Sequence, residues 1–339
     1  MQFSGLILKW YEKHGRHDLP WQKNITPYRV WISEIMLQQT QVSAVIPYYR
    51  RFMQDFPTLE TLAAAKDNDV LSHWSGLGYY ARARNLHKTA KIIQEQYDGI
   101  FPNTVEKITT LPGIGMSTAG AIVSFAFAKR AVILDGNVKR VLARFYAINS
   151  PLSQKNTTQQ LWQYAETLTP IKNAAHYNQA MMDLGATLCT RTKPRCTDCP
   201  LQKKCLAYQE NKPEHFPIKI IKKSRPIKKT YMLIIYNQFD EILLHKRPSS
   251  GIWGGLWSFP ERKPSRHFKN LNFKHSKILS KMIHQFTHFT LEILPICIKI
   301  KNMNVVKKLD LSEFIWYKQT EKLPGGVPTP VSKILRALT

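Results

Sequence analysis

The chain has 339 residues, of which 43% are hydrophobic and 11% aromatic, and this composition excludes disorder for most of its length. At about 100–200 residues per domain, the length predicts two domains. The 49 Lys and Arg residues against 23 Asp and Glu give a formal net charge of +26, which favours a polyanionic partner, either nucleic acid or an anionic membrane surface. A surface that is simply rich in lysine would explain the charge equally well.

No run of residues approaches the ~20 apolar positions that a membrane-spanning helix requires. The N-terminal sequence also lacks the apolar core of a signal peptide. We therefore expect a cytoplasmic protein that does not associate with a membrane.

Before residue 210 the pattern is helical, because apolar residues recur at spacings of three and four. Glycine and proline separate the predicted helices, and no convincing pair of strands interrupts them. The predicted helices are 27–41, 58–68, 81–97, 117–128, 138–147, 159–168 and 174–184.

Glu34 stands among apolar residues of the first predicted helix, with Ile32, Ile35 and Met36 as neighbours. A carboxylate that is buried there without a partner would be costly. One interpretation is a partly exposed residue that makes a contact between helices. The other is a carboxyl group whose pKa is raised by loss of solvent, so that it can donate a proton.

Residues 111–120, LPGIGMSTAG, join two predicted helices by a tight turn. Gly113 and Gly115 permit a positive φ and a close approach of the backbone. The following helix is expected to begin near Ser117 and to offer unpaired N–H groups at the positive end of its dipole, which predicts a phosphate-binding site. A plain turn between two helices would show the same glycine spacing.

Asp135 stands twenty residues after Gly115, at the end of an apolar segment and near the start of a predicted helix. An acidic residue there is an N-cap, a catalytic carboxylate or both. Cleavage of a glycosidic bond requires two carboxyl groups in unlike surroundings, one acid for the leaving group and one anion facing an oxocarbenium-like centre. Glu34 and Asp135 are the candidates for these two groups.

Four of the five cysteines, Cys189, Cys196, Cys199 and Cys205, stand within seventeen residues. Disulfides are not expected in the cytoplasm, and thiolates this close need a metal or a cluster to offset their repulsion. Zinc sites usually pair two short Cys-x-x-Cys units, whereas this sequence has one, flanked by spacers of six and five residues. The spacing favours a [4Fe–4S] cluster over zinc or free thiols, in a structural role that displays the basic residues of this loop to a phosphate backbone.

Residues 210–229 are rich in lysine and proline and lack an amphipathic period, which predicts an extended linker. This linker is either a basic strap along a phosphate backbone or a solvated connector. The surplus of basic over acidic residues is 11 in residues 1–209 and 15 in residues 210–339.

After the linker the pattern changes to short β-rich runs, which predicts an α+β unit. A hairpin is expected from 231–236 and 241–246 around a turn at 237–240. The other predicted elements are strands at 286–293, 295–300 and 314–317 and a helix at 330–338.

The hairpin 111–120 with Asp135 and the four cysteines resemble the helix-hairpin-helix, Gly/Pro-Asp superfamily of base-excision DNA glycosylases. Within it, the motifs are similar to those of adenine DNA glycosylases of the MutY type. The motifs are PW at 20–21, WISEIMLQQTQV at 31–42, GLGYYARARNLH at 76–87, LDGNVKR at 134–140 and NQAMMDLG at 178–185.

The resemblance implies a multi-domain protein that matches the family from about residue 5 to the C-terminus. Residues 1–209 would form an all-α helix-hairpin-helix glycosylase domain with a [4Fe–4S] loop at 189–205. Residues 210–229 would be a basic linker, and residues 230–339 an α+β Nudix-like domain for 8-oxoguanine recognition.

The resemblance also implies an enzyme that removes adenine mispaired with 8-oxoguanine or guanine in duplex DNA, leaving an abasic site. Glu34 would be the general acid that protonates the imidazole ring of adenine. Asp135 would stabilise the sugar cation and could capture it before water completes the hydrolysis. The adenine would be flipped out of the duplex, and Trp21 would line its pocket.

Further DNA contacts follow from the same resemblance. Gln38, Gln39 and Tyr79 would fill the gap left by the flipped base and wedge the strand beside 8-oxoguanine. The alternative for Tyr79 and Tyr80 is that they are aromatic residues of the core. The remaining implied DNA-binding residues are Gly113, Gly115, Ser117 and Lys139.

Ser117 distinguishes between branches of the superfamily. Relatives that also cut the strand by β-elimination carry a lysine at this position, and no amine stands here to form a Schiff base. The sequence therefore predicts a monofunctional glycosylase, in which Lys139 would trap the abasic sugar only slowly.

The C-terminal residues resemble the Nudix-like domain of the same family through residues 246–260 and 284–289. A Nudix hydrolase needs spaced glutamates to hold Mg²⁺, and the residues after Glu261 are basic instead, so we expect recognition without hydrolysis. Phe286, Thr287 and His288 would read 8-oxoguanine. The family commonly has Phe-Ser-His there, and threonine keeps the hydroxyl while adding a methyl group.

The implied partner is duplex DNA, bound by a monomer, with other repair proteins as further partners. Two other interpretations stay open. One is a glycosylase/lyase of the endonuclease III type acting on oxidised pyrimidines, against which Ser117 and the C-terminal domain argue. The other is a non-catalytic iron–sulfur DNA-binding protein, in which Glu34 and Asp135 would be dispensable.

Overall fold

The computed structural model describes residues 2–218, 224–262, 276–300 and 313–338. The chain divides into two compact units, which we name the helical unit (residues 1–64 and 85–222) and the mixed unit (residues 65–84 and 223–339). Within the described ranges, no helix combines the length and the hydropathy of a membrane span.

Helices form all the regular structure described before residue 219. In chain order they are α1 Phe3–His14, α2 Pro27–Leu37, α3 Val42–Asp55, α4 Leu59–Ala64, α5 Asp67–His73, α6 Ala81–Gln96, α7 Val105–Thr109, α8 Met116–Phe127, α9 Gly136–Phe145, α10 Lys155–Leu168, α11 Ala174–Thr187 and α12 Leu206–Gln209. Short 3-10 turns at Pro20–Gln22, Cys196–Asp198 and Gln202–Lys204 complete this part of the chain.

One apolar cluster of the helical unit joins α1, α9, α10 and α11. Ile7, Leu142, Leu161 and Leu184 are fully buried there, one from each helix. Helix α2 packs against α8 and α3. These contacts hold the N-terminus of α9 and the side of α2 close to one another within the same unit.

The predicted helix 27–41 is wrong at its C-terminal end. Helix α2 ends at Leu37, and residues 38–41 form a turn before α3, with Gln39 in the left-handed region at φ 57°. Neither glycine nor proline marks this break in the sequence. The turn is a local conformation that a residue with a side chain rarely adopts, and such conformations concentrate at functional sites.

Strands occur only in the mixed unit among the described residues. They are β1 Ile227–Tyr236, β2 Ile242–Lys246, β3 Trp257–Ser258, β4 Glu261–Arg262, β5 Lys277–Ile278, β6 Met282–Gln285, β7 Thr290–Lys299 and β8 Phe314–Tyr317, followed by helix α13 Thr329–Leu338. The sheet order is β3-β2-β1-β7-β5, with β4 on β1, β6 on β7 and β8 on β2. Strands β1 and β7 pair in parallel, from Ile227 opposite Thr290 to Tyr236 opposite Lys299, and the other strand pairs described here are antiparallel.

The helical and α+β parts predicted from the sequence are confirmed by these elements. The hairpin of 231–236 and 241–246 is confirmed by the antiparallel pair β1 and β2. The predicted strand 286–293 is wrong in its first half, because residues 286–289 form the turn between β6 and β7. Strand β1 begins at Ile227, so the last three residues of the predicted linker belong to this strand.

Residues 65–84, which carry α5 and the start of α6, pack with the C-terminal part of the chain in the mixed unit. Ser75 Oγ and Tyr80 Oη both donate to the Val327 carbonyl oxygen, at 3.1 and 3.2 Å. Arg84 Nη1 donates to the Gly254 carbonyl oxygen at 2.8 Å. Hydrogen bonds to backbone carbonyls from three side chains therefore fasten this segment to the C-terminal residues.

Candidate active site

A cavity of about 840 Å³ opens in the helical unit and is lined by both Glu34 and Asp135. The structure thus brings together two carboxyl groups that lie 101 residues apart in the sequence. Other predicted site residues line the same cavity, namely Trp21, Gln38, Gln39 and Ser117.

Helix α2 positions Glu34. Thr26 caps the helix, because its Oγ1 accepts from the Arg29 N–H at 3.2 Å. Trp31, Ile32 and Met36 are fully buried in the core, whereas Glu34 lines the cavity. Burial, and then the negative charge of Asp135, raise the pKa of Glu34 from 4.5 to about 8. This carboxyl group therefore holds a proton at neutral pH.

Asp135 is the N-cap of α9, as one of the two predictions for it required. Its Oδ1 accepts from the backbone N–H groups of Asn137 and Val138 at 3.0 and 2.7 Å, and its Oδ2 accepts from the Asn137 amide at 3.0 Å. Burial raises the pKa of Asp135, and these hydrogen bonds oppose that rise because they favour the ionised form. Asp135 is thus held as a fixed acceptor at the cavity wall.

Two glycines allow the backbone around Asp135 to pack closely. A Cβ at Gly120 of α8 would lie 2.2 Å from the Val132 carbonyl oxygen, so the segment before Asp135 lies directly on α8. A Cβ at Gly185 of α11 would lie 2.6 Å from Cβ of Asn137. Side chains at these positions would push the N-terminus of α9 away, which explains glycine at both.

Asn137 and Arg140 connect Asp135 to residues 189–205, which carry the four cysteines and are here named the cysteine loop. The Asn137 amide oxygen accepts from Arg140 Nη2 at 2.9 Å, and Arg140 Nε donates to the Cys189 carbonyl oxygen at 2.8 Å. Neither residue was predicted from the sequence to belong to the site, although both belong to the motif at 134–140. Arg140 donates to a residue 49 positions away, and a contact of that kind leaves no signal in the local sequence.

A second chamber of about 240 Å³ shares Trp21, Glu34 and Gln179 with the main cavity. Gln179 Nε2 donates to Asp183 Oδ1 at 2.9 Å. Asp183 is fully buried and also accepts from Arg16, at 2.8 Å from both its backbone N–H and its Nε. A carboxylate can only accept hydrogen bonds, so Asp183 binds the NH₂ group of the Gln179 amide. This contact fixes which end of the amide is the carbonyl oxygen.

The hairpin glycines differ in backbone conformation, because Gly113 has the positive φ that both glycines permit and Gly115 does not. Gly113 has φ 78°, and its carbonyl oxygen lies 3.4 Å from Gln38 Nε2. Gly115 has φ −94° and caps α8, and a Cβ there would meet no atom within 4 Å. The open space around Gly115 leaves room for close approach by another molecule. The Ser117 hydroxyl accepts from the Leu134 N–H at 3.1 Å.

The four cysteines Cys189, Cys196, Cys199 and Cys205 line one small apolar cavity beside α9 and α11. Burial first, and then the other cysteines, raise the pKa of Cys199 to about 12 and that of Cys196 in the same direction. Thiolates here therefore need a compensating positive centre. Among the described residues, no group of three or more His, Cys, Asp or Glu side chains is arranged to hold a single metal ion.

Arg144 supplies part of the positive charge at this cavity. Its side chain is 2% exposed, and its Nη1 lies 3.2 Å from Cys189 Sγ and donates to the Thr190 carbonyl oxygen at 2.7 Å. Its Nε donates to the Phe216 carbonyl oxygen at 3.0 Å. The donor set of four thiols with a buried guanidinium fits a cluster of net negative charge.

Comparison with known proteins identifies the family. Residues 32–167 match the family model described as HhH-GPD superfamily base excision DNA repair protein, and residues 230–337 match a NUDIX domain. The adenine DNA glycosylase of Buchnera aphidicola subsp. Acyrthosiphon pisum (strain APS) is 45% identical over 98% of this chain and 96% of its own. The chain belongs to the adenine DNA glycosylase family.

Adenine DNA glycosylases are hydrolases of N-glycosyl bonds, and the chain is an enzyme of this class. Its fold is the helix-hairpin-helix glycosylase fold with a Nudix-like C-terminal part, as predicted. A thermostable thymine-DNA glycosylase covers 61% of the chain at 30% identity, a TM-score of 0.57 and 95% coverage of its own chain. An endonuclease III in a non-covalent DNA complex covers 61% of this chain and 94% of its own, at 21% identity and a TM-score of 0.53. At this identity the likeness shows the fold alone.

The other predicted site residues of this adenine DNA glycosylase family member lie outside the cavity. Lys139 is on α9, one helical turn after Asp135, and does not line the cavity. Tyr79 lies in the mixed unit, 49% exposed and at φ 52°, whereas Tyr80 is 7% exposed. The core interpretation therefore applies to Tyr80, and Tyr79 is a surface residue.

Phe286, Thr287 and His288 lie in the turn between β6 and β7 of the mixed unit. Thr287 and His288 are exposed, and Phe286 is half-buried. The basic residues after Glu261 that argued against Mg²⁺ begin at Arg262, and Lys263, Arg266 and Lys269 lie outside the described residues. Glu261 itself pairs with Arg247 at 2.6 Å.

Proposed function

We propose that this enzyme acts in base excision repair and removes adenine that stands opposite 8-oxoguanine or guanine in duplex DNA, leaving an abasic site. The observation that carries the proposal is the shared cavity of Glu34 and Asp135, in which one carboxyl group is protonated and the other is held as an acceptor. The family membership supplies the class of substrate.

Glu34 acts as the general acid. Adenine becomes a better leaving group when a nitrogen of its imidazole ring is protonated, and a carboxyl group with a pKa of about 8 carries the proton at neutral pH. As the glycosidic bond breaks, the bonding electrons leave with the protonated adenine. The sugar is left as an oxocarbenium-like cation.

Asp135 stabilises that cation by its negative charge or captures it covalently before water adds. Three donors at the N-terminus of α9 fix its two oxygen atoms, so little reorganisation is needed when positive charge develops on the sugar. Water then adds to the anomeric carbon and gives the abasic sugar.

The chamber beside Glu34 receives the flipped adenine. Trp21 forms part of its wall and is only 7% exposed, and the Gln179 carbonyl oxygen is available to accept from the exocyclic amino group of adenine. Guanine has an acceptor at the equivalent position, so the same oxygen would repel it. Flipping costs a few kcal/mol, which DNA contacts must offset.

DNA contacts are proposed for several elements. Gln38 and Gln39 fill the gap left by adenine, and Tyr79 wedges the strand beside 8-oxoguanine. The hairpin residues Gly113, Gly115 and Ser117, together with Lys139, bind the phosphate backbone. Ser117 in place of an amine makes the enzyme monofunctional, and Lys139 reacts with the abasic sugar only slowly.

The C-terminal residues recognise 8-oxoguanine through Phe286, Thr287 and His288. They do not catalyse the hydrolysis that a Nudix hydrolase performs with Mg²⁺. We propose the functional division 1–209 for glycosidic cleavage, 210–229 as a basic linker and 230–339 for recognition. The enzyme acts as a monomer on chromosomal DNA in the cytoplasm, with other repair proteins as partners.

Cys189, Cys196, Cys199 and Cys205 hold a [4Fe–4S] cluster in this proposal. When bound, the cluster would supply structural order, and its iron ions would supply the positive charge that keeps the thiols ionised. The chain's own residues then display the basic side chains of 189–205 to DNA. Four irons per chain and an absorbance band at about 400 nm are expected. One zinc per chain would contradict the assignment.

The test uses a duplex with adenine opposite 8-oxoguanine and a second with adenine opposite guanine. Hot alkali after the reaction reveals abasic sites. Product after alkali on both duplexes, faster with 8-oxoguanine, is expected. Strand cutting without alkali would contradict the monofunctional assignment, and no release of adenine from either duplex would overturn the proposed function.

A further inference from the structure

The turn at residues 286–289, here named the reading turn, is anchored on one side and exposed on the other. The Phe286 N–H donates to the Phe289 carbonyl oxygen at 2.9 Å, which closes the turn. The rings of Phe286 and Phe289 stack at 4.6 Å, and Phe289 is 3% exposed. Thr287 and His288 are exposed between these anchors.

Trp253 is the buried neighbour of the reading turn. Its ring centroid lies 5.3 Å from Phe286 and 5.3 Å from His284, the residue of β6 that also packs edge-on against Phe286 at 4.6 Å. Trp253 is 7% exposed. Phe286 is therefore held between two aromatic side chains in addition to its stacking with Phe289.

Trp253 has a conformation that its own residue type disfavours. Its φ is 56°, in the left-handed region where a bulky side chain is strained. Gly251 and Gly255 on either side have φ 83° and 75°. A Cβ at Gly254 would lie 2.4 Å from the Ser249 carbonyl oxygen. Residues 248–256, here named the glycine loop, are thus folded tightly to present one tryptophan.

Contacts from outside the glycine loop keep it in place. Arg247 Nε donates to the Ile252 carbonyl oxygen at 3.1 Å, and Arg247 Nη1 pairs with Glu261 at 2.6 Å. The same guanidinium lies 5.6 Å from the Trp253 ring centroid. Arg84 Nη1 donates to the Gly254 carbonyl oxygen at 2.8 Å. Two arginine side chains therefore hold the backbone carbonyls of Ile252 and Gly254, the residues that flank the strained Trp253.

We infer that Trp253 is a positioning residue for base recognition, which holds Phe286 so that Thr287 and His288 face the base opposite adenine. The inference rests on the proposed function of the reading turn. Trp253 does not itself touch DNA in this assignment. It acts through Phe286, and its loss lowers the preference for 8-oxoguanine without changing the glycosidic chemistry in the helical unit.

The test compares the full chain with W253G and W253F. Glycine tolerates the positive φ, so W253G removes the ring while leaving the loop backbone unstrained. In W253G, the ratio of single-turnover rates opposite 8-oxoguanine and opposite guanine should fall about threefold to tenfold, the size of an aromatic pair contact, while the rate opposite guanine stays within about twofold. W253F keeps an aromatic ring and should retain most of the preference.

Hydrogen exchange supplies a readout that does not depend on activity. Without DNA, the Phe286 amide should exchange faster in W253G than in the unaltered chain, because the turn loses its anchor. F239G is the matched control, since Phe239 is 69% exposed at the β1–β2 turn and should leave both measurements unchanged. If W253G does not fold, W253L, which keeps apolar bulk without an aromatic ring, takes its place.

The failures of the two proposals are distinguishable. If T287A and H288A leave the preference for 8-oxoguanine unchanged, the reading turn is wrong and the inference falls with it. If T287A or H288A lowers the preference while W253G does not, only the role of Trp253 is overturned. An unchanged exchange rate at Phe286 in W253G would also overturn it.

Discussion

The two carboxyl groups of the cavity differ in the donors they face. Asp135 accepts from two backbone N–H groups and one amide, whereas burial and the charge of Asp135 dominate the surroundings of Glu34. Hydrogen bonds to an ionised carboxylate stabilise it, and burial without them favours the neutral form. The proton that the pair shares at neutral pH therefore resides on Glu34, which fits the assignment of acid and anion.

Replacing Glu34 by Gln tests the acid. The amide has nearly the same shape as the protonated carboxyl but donates no proton to adenine, so single-turnover excision should fall by about 10²–10⁴-fold. Binding to the mispaired duplex, measured by fluorescence anisotropy, should be nearly unchanged. Glu166→Gln removes an exposed carboxylate that pairs with Arg130 on the surface, and it serves as the matched control. Excision retained in E34Q would sink the assignment.

The raised pKa of Glu34 also predicts how rate depends on pH. The acid is active when protonated, so the single-turnover rate should decline as pH rises through about 8. A rate that rises across this pH range would contradict the role of Glu34 as the acid.

Stability should depend on pH in the same direction. Between pH 4.5 and about 8 the folded chain binds more protons at Glu34 than the unfolded chain, so its stability falls as pH rises in this window. E34Q lacks this titration. The difference in Tm between E34Q and the unaltered chain should therefore grow in favour of E34Q from pH 6 to pH 8, by an amount equivalent to at most a few kcal/mol. A constant difference would show that burial does not disfavour the charge.

Helices and strands with a regular apolar period could be predicted from the local sequence. The periodicity of α8, α9 and α11 and the β1–β2 hairpin were all visible, because each element buries one face. Helices α1 and α3 were not predicted, and α3 contains Pro47 within it. The break at residues 38–41 was also missed, since the left-handed Gln39 is held by tertiary structure against its own preference.

Some residues of the site could be predicted from the local sequence, and others could not. Glu34 and Asp135 stood out as carboxylates in apolar surroundings, and the structure places them at one cavity. Gln179 and Arg140 did not stand out. Gln179 donates to Asp183, four residues along the same helix, but Asp183 is itself held by Arg16, 167 residues away. Arg140 donates to the carbonyl oxygen of Cys189, 49 residues away. Polar side chains on a helix are common on solvated faces, so no local pattern distinguishes these.

The close packing of α11 against the N-terminus of α9, next to Asp135, can be tested at Gly185. In G185A the new methyl group would lie 2.6 Å from Cβ of Asn137, and it would displace the N-terminus of α9 that fixes Asp135. Both Tm and the excision rate should fall, the stability by about 1–3 kcal/mol. In G136A, by contrast, the Cβ would meet no atom within 4 Å, so Tm should change little. Equal Tm values for the two variants would refute the close contact.

In the whole molecule, residues 65–84 group with the C-terminal part in one compact unit, although they stand within the stretch 1–209 that is proposed for glycosidic cleavage. The sequence predicted a boundary at residue 210, from the change of period and the basic linker. The hydrogen bonds of Tyr80 and Arg84 to Val327 and Gly254 link residues more than 160 positions apart, and such pairings leave no local trace. The proposed wedge Tyr79 and the reading turn therefore belong to one compact unit.

Of the basic residues behind the net charge of +26, only those that touch phosphate release counterions when DNA binds. Each neutralised phosphate contributes about −0.9 to the slope of log K against log salt concentration. Lys193 and Lys203 are exposed in the cysteine loop, so K193Q with K203Q should make the slope less negative by about 1.8 and weaken binding to mispaired and matched duplexes alike. Lys299 is exposed but pairs with Asp240 in the mixed unit, and K299Q should leave the slope unchanged. A slope unaltered by the loop substitutions would show that these lysines are ordinary surface residues and that the phosphate contacts lie elsewhere.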